Sequence, residues 1–216
     1  MATLTDLGFS KGIIAETIVT TYNKDETPNA APMGVIMEDE ERLVINLFNS
    51  SKTSHNIKSN RCAVVNLTSN IEVFYKTAFK GVNPDGKLPL EWFEKASSVN
   101  APKLILADAS IYVSVKELVP VDAQKARAIF NIDSIQSSMK YPQVYSRAMS
   151  QTLEAIIHAT RIKAMLNDSA QKKKVKHLLE MISDCQDVVD RVAPNSAYSL
   201  IMADLMKLVN SWGQNR

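Results

Sequence analysis

The hydrophobic period of this chain changes once, near Pro120, and that change limits the folds open to it more than any motif does. Over residues 10–119 apolar and polar positions alternate in short runs bounded by turn residues, the period-two pattern of strands. Beyond Pro120 apolar residues recur every three or four positions, as on one face of a helix. At 216 residues and 45% hydrophobic, the chain can bury a full core without disulfides or metal. The expectation is an α+β chain, with a small β-barrel or sandwich over residues 1–120 and a helical hairpin or bundle over residues 121–216. No Gly/Ser-rich linker separates the halves, so they are expected to pack directly on each other.

The strand-like runs are residues 12–21, 29–37, 42–48, 61–68 and 110–119, rich in β-branched side chains and separated by polar turns. Their spacing of about 8 to 12 residues suggests an antiparallel barrel rather than a βαβ sheet. Between the third and fourth runs, residues 50–60 offer hydroxyls suited to cap a short helix. Residues 80–89 read as a loop whose Pro84, Asp85 and Gly86 form a turn. Residues 121–130, 142–166, 169–192 and 196–212 read as helices, the second opening on Pro142.

Several function classes are unsupported. With 25 Lys and Arg against 23 Asp and Glu, the net charge of +2 offers no field for nucleic acid. The first residues lack a basic region followed by an apolar run, and no stretch reaches the roughly 18 to 20 apolar residues of a membrane span, so a cytoplasmic protein is expected. Cys62 and Cys185 have no metal-ligand spacing, and His55, His158 and His177 are far apart, so no metal site is expected. The motifs of dinucleotide folds, P-loop NTPases, zincins and α/β-hydrolases are missing.

Three features could carry chemistry. The polar segment 50–56 sets hydroxyls, amides and Lys52 at a helix start, which suits either a phosphate or an ordinary helix cap. The run Asn29, Ala30, Ala31, Pro32, Met33, Gly34, Val35 is a strand of small residues, fit for a flat ligand lying on the backbone or for close packing of a helix. On the long third helix Arg147, Glu154, His158 and Arg161 fall on nearly one face, with Leu153, Ile156, Ile157 and Ala164 opposite. That face is either a surface ion-pair ladder or a polar seam along a ligand pocket.

Five segments in order, residues 12–21, 29–35, 48–56 and 64–68 together with Arg147, Glu154, His158 and Arg161, carry a resemblance over nearly the whole chain. The chain resembles an uncharacterised prokaryotic domain-of-unknown-function family of the FMN-binding split-barrel, flavin reductase-like superfamily. The resemblance implies a six-stranded antiparallel split barrel with C-terminal helices, and a homodimer holding one FMN per subunit near its interface. It implies that Ser51, Lys52, Thr53 and Asn56 bind the phosphate, and that Ala31, Pro32, Met33 and Gly34 lie along the isoalloxazine with Asn66 closing its polar edge. Glu16 and Thr17 of the first segment are counted among the cofactor-binding residues. Arg147, His158 and Arg161 are placed at the pocket by their spacing alone.

The expected function is that of an FMN-binding, flavin-dependent oxidoreductase or flavin reductase-like enzyme of unknown substrate, with a nicotinamide as the candidate donor. Such a protein needs no catalytic side chain, because the cofactor performs the redox chemistry. The alternative is a non-catalytic flavin-binding or carrier module. A scaffold with a vestigial pocket, or a haem or pyridoxal phosphate binder on the same barrel, stands further back.

Overall fold

The computed structural model describes residues 2–138 and 146–214. In chain order the elements are β1 (Ile14–Tyr22), β2 (Pro28–Asp39), β3 (Arg42–Phe48), α1 (Lys52–Asn60), β4 (Cys62–Leu67), α2 (Ile71–Ala78), β5 (Phe93–Lys95), β6 (Pro102–Leu104), β7 (Ala109–Pro120), β8 (Lys125–Ser137), α3 (Arg147–Met165), α4 (Lys172–Val192) and α5 (Ala197–Gln214). Two compact units result, one of Met1–Ser69 with Phe79–Tyr141, the other of Asn70–Ala78 with Pro142–Arg216.

The first unit is a closed antiparallel barrel of six strands in the order β1-β2-β3-β8-β7-β4, as the resemblance implies. The β1–β2 hairpin turns at Asn23, whose N–H donates to Thr27 O at 2.9 Å, with the Asp25 carboxylate accepting the Thr27 hydroxyl at 2.6 Å. Alternate residues point into the barrel, where Val19, Val35, Ile45, Val65, Val113 and Phe130 are fully buried. Each such side chain stabilises the fold by roughly 1.5–3 kcal/mol before entropy is subtracted. Leu4 and Phe9 join that core from the N-terminal segment, which is tied to Glu40 at the β2–β3 turn. At the other barrel end α1 contributes Ile57.

The sixth strand overturns one expectation. Residues 121–130, read as a helix, are a turn followed by β8, which pairs with both β3 and β7. Lys125, Arg127 and Asn131 are exposed while Ala126, Ala128 and Phe130 are buried, so the true period is two. Two small alanines on the inner face, in a segment otherwise rich in good helix formers, disguise it. Asp122 fixes the hairpin by accepting the N–H groups of Gln124 and Lys125 at 2.7 and 2.8 Å. The barrel unit therefore extends past residue 120 through β8, and Asn70–Ala78 belongs with the helices.

In the helical unit α3 packs on α4 and α5, and α2 on α3 and α5. Leu178, Ile182, Cys185 and Val189 form the buried stripe of α4 at helical spacing, and Met202, Leu205 and Val209 that of α5. Ser146 caps α3 by accepting the Ala148 N–H at 3.2 Å. The expected start at Pro142 lies outside the described residues. No described helix is long and apolar enough to cross a membrane.

Candidate functional site

Two of the three sequence features meet in the barrel unit. In β2, residues 28–34 pair with β1 on one edge, Thr21 facing Asn29, Val19 facing Ala31, Thr17 facing Met33 and Glu16 facing Gly34. Pairing with β3 begins only at Val35, opposite Ile45, while Asn46, Leu47 and Phe48 pair with β8 alone. Among the described residues no strand covers the other edge of residues 28–34, so the barrel wall parts there. Pro32, which has no N–H to give a ladder, sits on that open edge, as proline must.

Ala31, Pro32, Met33 and Gly34 are half-buried. Glu16 is exposed, whereas Thr17 is fully buried and donates its hydroxyl to Met33 O at 3.0 Å. A Cβ on Gly34 would lie 2.8 Å from Ile14 Cγ2, so the missing side chain is what lets Ile14 fold over this strand.

The start of α1 lies at the same end of β2. Ser51 is the N-cap, its hydroxyl accepting the Ser54 N–H at 3.1 Å, and the first helical bond runs from His55 N–H to Ser51 O. Among the described residues the N–H groups of Lys52 and Thr53 have no protein acceptor, the ordinary state of a first helical turn. Thr53 is buried, and its hydroxyl oxygen accepts from Asn29 Nδ2 at 3.2 Å, leaving the hydroxyl proton to give. Asn56 differs from expectation. Its two N–H donors go to Thr21 Oγ1 and Asn23 Oδ1, each at 3.0 Å, so it braces the rim instead of facing an anion.

Lys80 enters this cluster unannounced by the sequence. Its Nζ donates to Asn29 Oδ1 at 2.5 Å. Burial, and then the charge of Lys52, hold its amine down at about 8. A lone lysine in a loop gives no periodic signal; only the register of β2 brings it to α1.

Asn66 is held within the barrel unit by its own hydrogen bonds. It shares the outer side of β4 with Cys62 and Val64, away from the barrel core. Its Nδ2 donates to Ile18 O and Thr20 Oγ1 at 3.0 Å, and its Oδ1 accepts the Leu104 N–H at 3.0 Å and the Ser110 hydroxyl at 3.2 Å. Every polar group of the amide is engaged under the β5–β6 hairpin, and none is left to close a ring edge.

Arg147, His158 and Arg161 belong to the helical unit and do not form one seam. Arg147, Glu154 and Arg161 are exposed, while His158 is buried among Ala155, Ala159 and Ile162 of α3. Burial lowers its pKa, opposed by Glu154, whose Oε1 is 3.7 Å from its Nε2, with smaller lowering by Arg161 and His177. Among the described residues no group of three or more His, Cys, Asp or Glu is arranged to hold a metal.

The barrel unit also carries surface clefts among the described residues. One of 390 Å³ is lined in part by Lys103, Tyr112 and Gln136, which are bonded to each other, Lys103 and Tyr112 both donating to Gln136 Oε1. Another, of 340 Å³, lies at the far end of β3 between Leu47, Phe48, Val121 and Lys125.

Comparison with known proteins agrees with this fold. An FMN-bound protein of the DUF447 family from Methanosarcina mazei is 25% identical, with a TM-score of 0.77 over 95% of this chain and 99% of that one. Component B of nitrilotriacetate monooxygenase from Bacillus cereus, 15% identical with a TM-score of 0.51 over 70% of this chain and 83% of that one, shares the fold. Residues 15–139 match the family described as protein of unknown function (DUF447) N-terminal domain. That match spans more than half of the 216 residues, and the chain belongs to the DUF447 family.

Proposed function

We propose that this protein binds one FMN per chain without covalent attachment and acts as a flavin-dependent oxidoreductase of the flavin reductase type. The observation that carries this reading is the FMN-bound family member, similar over nearly the full length of both chains. The residues fit the group. A phosphate set against α1 meets the N–H groups of Lys52 and Thr53, the Thr53 hydroxyl, the Lys52 ammonium and the positive end of a nine-residue helix. The uncovered edge of residues 28–34 offers backbone N–H and C=O groups to the polar rim of the ring, and the small Ala31 and Gly34 allow close approach.

Bound there, the flavin supplies the hydride and electron chemistry, with a nicotinamide as donor. The chain holds the phosphate, orders the ring edge and keeps water from one side of it. A homodimer accompanies this reading; exposed Ile13, Ile14 and Phe48 on the barrel surface support a second copy there.

The test is an absorption spectrum of purified protein mixed with FMN and desalted. Bands near ~370 and ~450 nm at about one flavin per chain are expected. A colourless protein that releases FMN overturns the reading. Steady-state oxidation of NADH or NADPH by the loaded protein then separates an enzyme from a flavin carrier.

A further inference from the structure

We propose that Lys80 is the second cation of the phosphate cradle and the residue that makes it select a phosphomonoester dianion over a flavin that lacks phosphate. The inference rests on the FMN reading above and adds to it a residue that neither the sequence motifs nor the α1 cap would name.

The geometry is a relay through one amide. Lys80 Nζ donates to Asn29 Oδ1 at 2.5 Å, and Asn29 Nδ2 donates to Thr53 Oγ1 and Thr21 Oγ1, each at 3.2 Å. Asn29 is buried, so the lysine head is fixed relative to the first turn of α1 from β2 rather than left to swing on its loop. In the same turn the Ser54 hydroxyl is buried and has no hydrogen-bond partner, which marks the region as short of polar partners.

Charge points the same way. Among the described residues no carboxylate lies within salt-bridge distance of Lys80, and the charge that acts on it is Lys52, a second cation. Asp25 answers Lys52 at longer range; its carboxyl is held low chiefly by hydrogen bonds from Thr27, with a smaller part from Lys52. A half-buried ammonium is ordinarily paired. Here the neighbouring charge that acts on it is another ammonium, and a dianion beside both would offset burial and repulsion alike. Burial first, and the Lys52 charge second, put the amine at about 8, and an adjacent phosphate would raise it.

The experiment is a titration of flavin fluorescence with wild-type protein and Lys80→Met, using FMN and riboflavin. The wild type is expected to prefer FMN. Lys80→Met is expected to weaken FMN binding about ten- to hundredfold, as losing a charge-assisted phosphate contact should, while riboflavin affinity stays within about twofold. Unchanged FMN affinity in Lys80→Met overturns the proposal, as does an equal loss for both flavins, which would make Lys80 a structural residue. A wild type that binds FMN and riboflavin equally overturns the selection by phosphate and leaves flavin binding intact. A wild type that binds neither removes both readings.

A second measurement needs no variant. Calorimetry of FMN binding at pH 8, in buffers of different ionisation heat, counts protons taken up. FMN's phosphate is already dianionic there, its second pKa lying near ~6. A fractional proton uptake is expected for FMN and none for riboflavin. No uptake with FMN overturns the proposal.

Discussion

Asn66 Oδ1 accepts the backbone N–H of Leu104 at 3.0 Å, so a side chain of the barrel wall holds down a strand of the small hairpin outside it. The same amide engages Ile18, Thr20 and Ser110, all within a buried region. Asn66→Ala strands these groups without partners and is expected to cost about 2–4 kcal/mol, because an unmet buried hydrogen bond costs more than a met one gains. Urea unfolding measures the loss. FMN affinity of the folded variant should stay within about twofold; a large loss of affinity with unchanged stability would return Asn66 to the ring site.

Gly34 and Ile14 form a contact that has no room for a methyl group, since a Cβ would stand 2.8 Å from Ile14 Cγ2. Gly34→Ala is expected to destabilise the barrel by about 1–3 kcal/mol through overpacking. Ile14 is more than half exposed, so Ile14→Ala should be mild and should recover most of that cost in the double variant. Additive effects in the double-mutant cycle would show that the two side chains do not compete for space.

The strands legible in the sequence are those rich in β-branched or large apolar residues and bounded by turn residues, together with β2, whose small residues still lie between turn signals. β1, β2, β3, β4 and β7 have bounds that fall within two residues of the runs read from the pattern. β8 uses Ala126 and Ala128 where others use Val or Ile, and alanine inside a narrow barrel cannot be told from alanine in a helix. α2 has only eight residues, with Ile71, Val73, Phe74 and Tyr75 all buried, too short and too uniformly apolar to show a period. The helix cap at Ser51 was readable because capping is local. What Asn56 and Asn66 do was not, because most of their partners lie 33 to 48 residues away in sequence.

Lys80 gives the empty protein a signature in alkaline solution. Its amine titrates at about 8 in the fold and near the ordinary 10.5 once unfolded. Between those values the unfolded chain holds more protons, so this group makes stability rise with pH from about 8 to about 10.5. Below about 8 the amine is charged in both states and its contribution no longer changes. Denaturant midpoints across this window should show the rise in wild type and a flatter profile in Lys80→Met. With FMN bound, the amine stays protonated to higher pH and the rise should move upward.

Lys52 and Lys80 are coupled, and that coupling makes Lys52→Ala informative beyond its own contact. Lys52 is exposed, and its backbone N–H at the start of α1 survives the substitution, so only the ammonium is lost. An exposed cation at a helix start is worth about 1 kcal/mol to a bound phosphate, or roughly fivefold in FMN affinity. That difference should shrink as salt rises toward physiological strength and beyond, since solvent screens exposed charges. Riboflavin affinity should not change. Removing Lys52 also removes the smaller of the two causes that lower Lys80, burial being the larger, so the amine should titrate slightly higher and the alkaline rise in stability should begin at slightly higher pH. Loss of FMN affinity with no upward move of that rise would separate the two lysines and place Lys52 on the phosphate independently of Lys80.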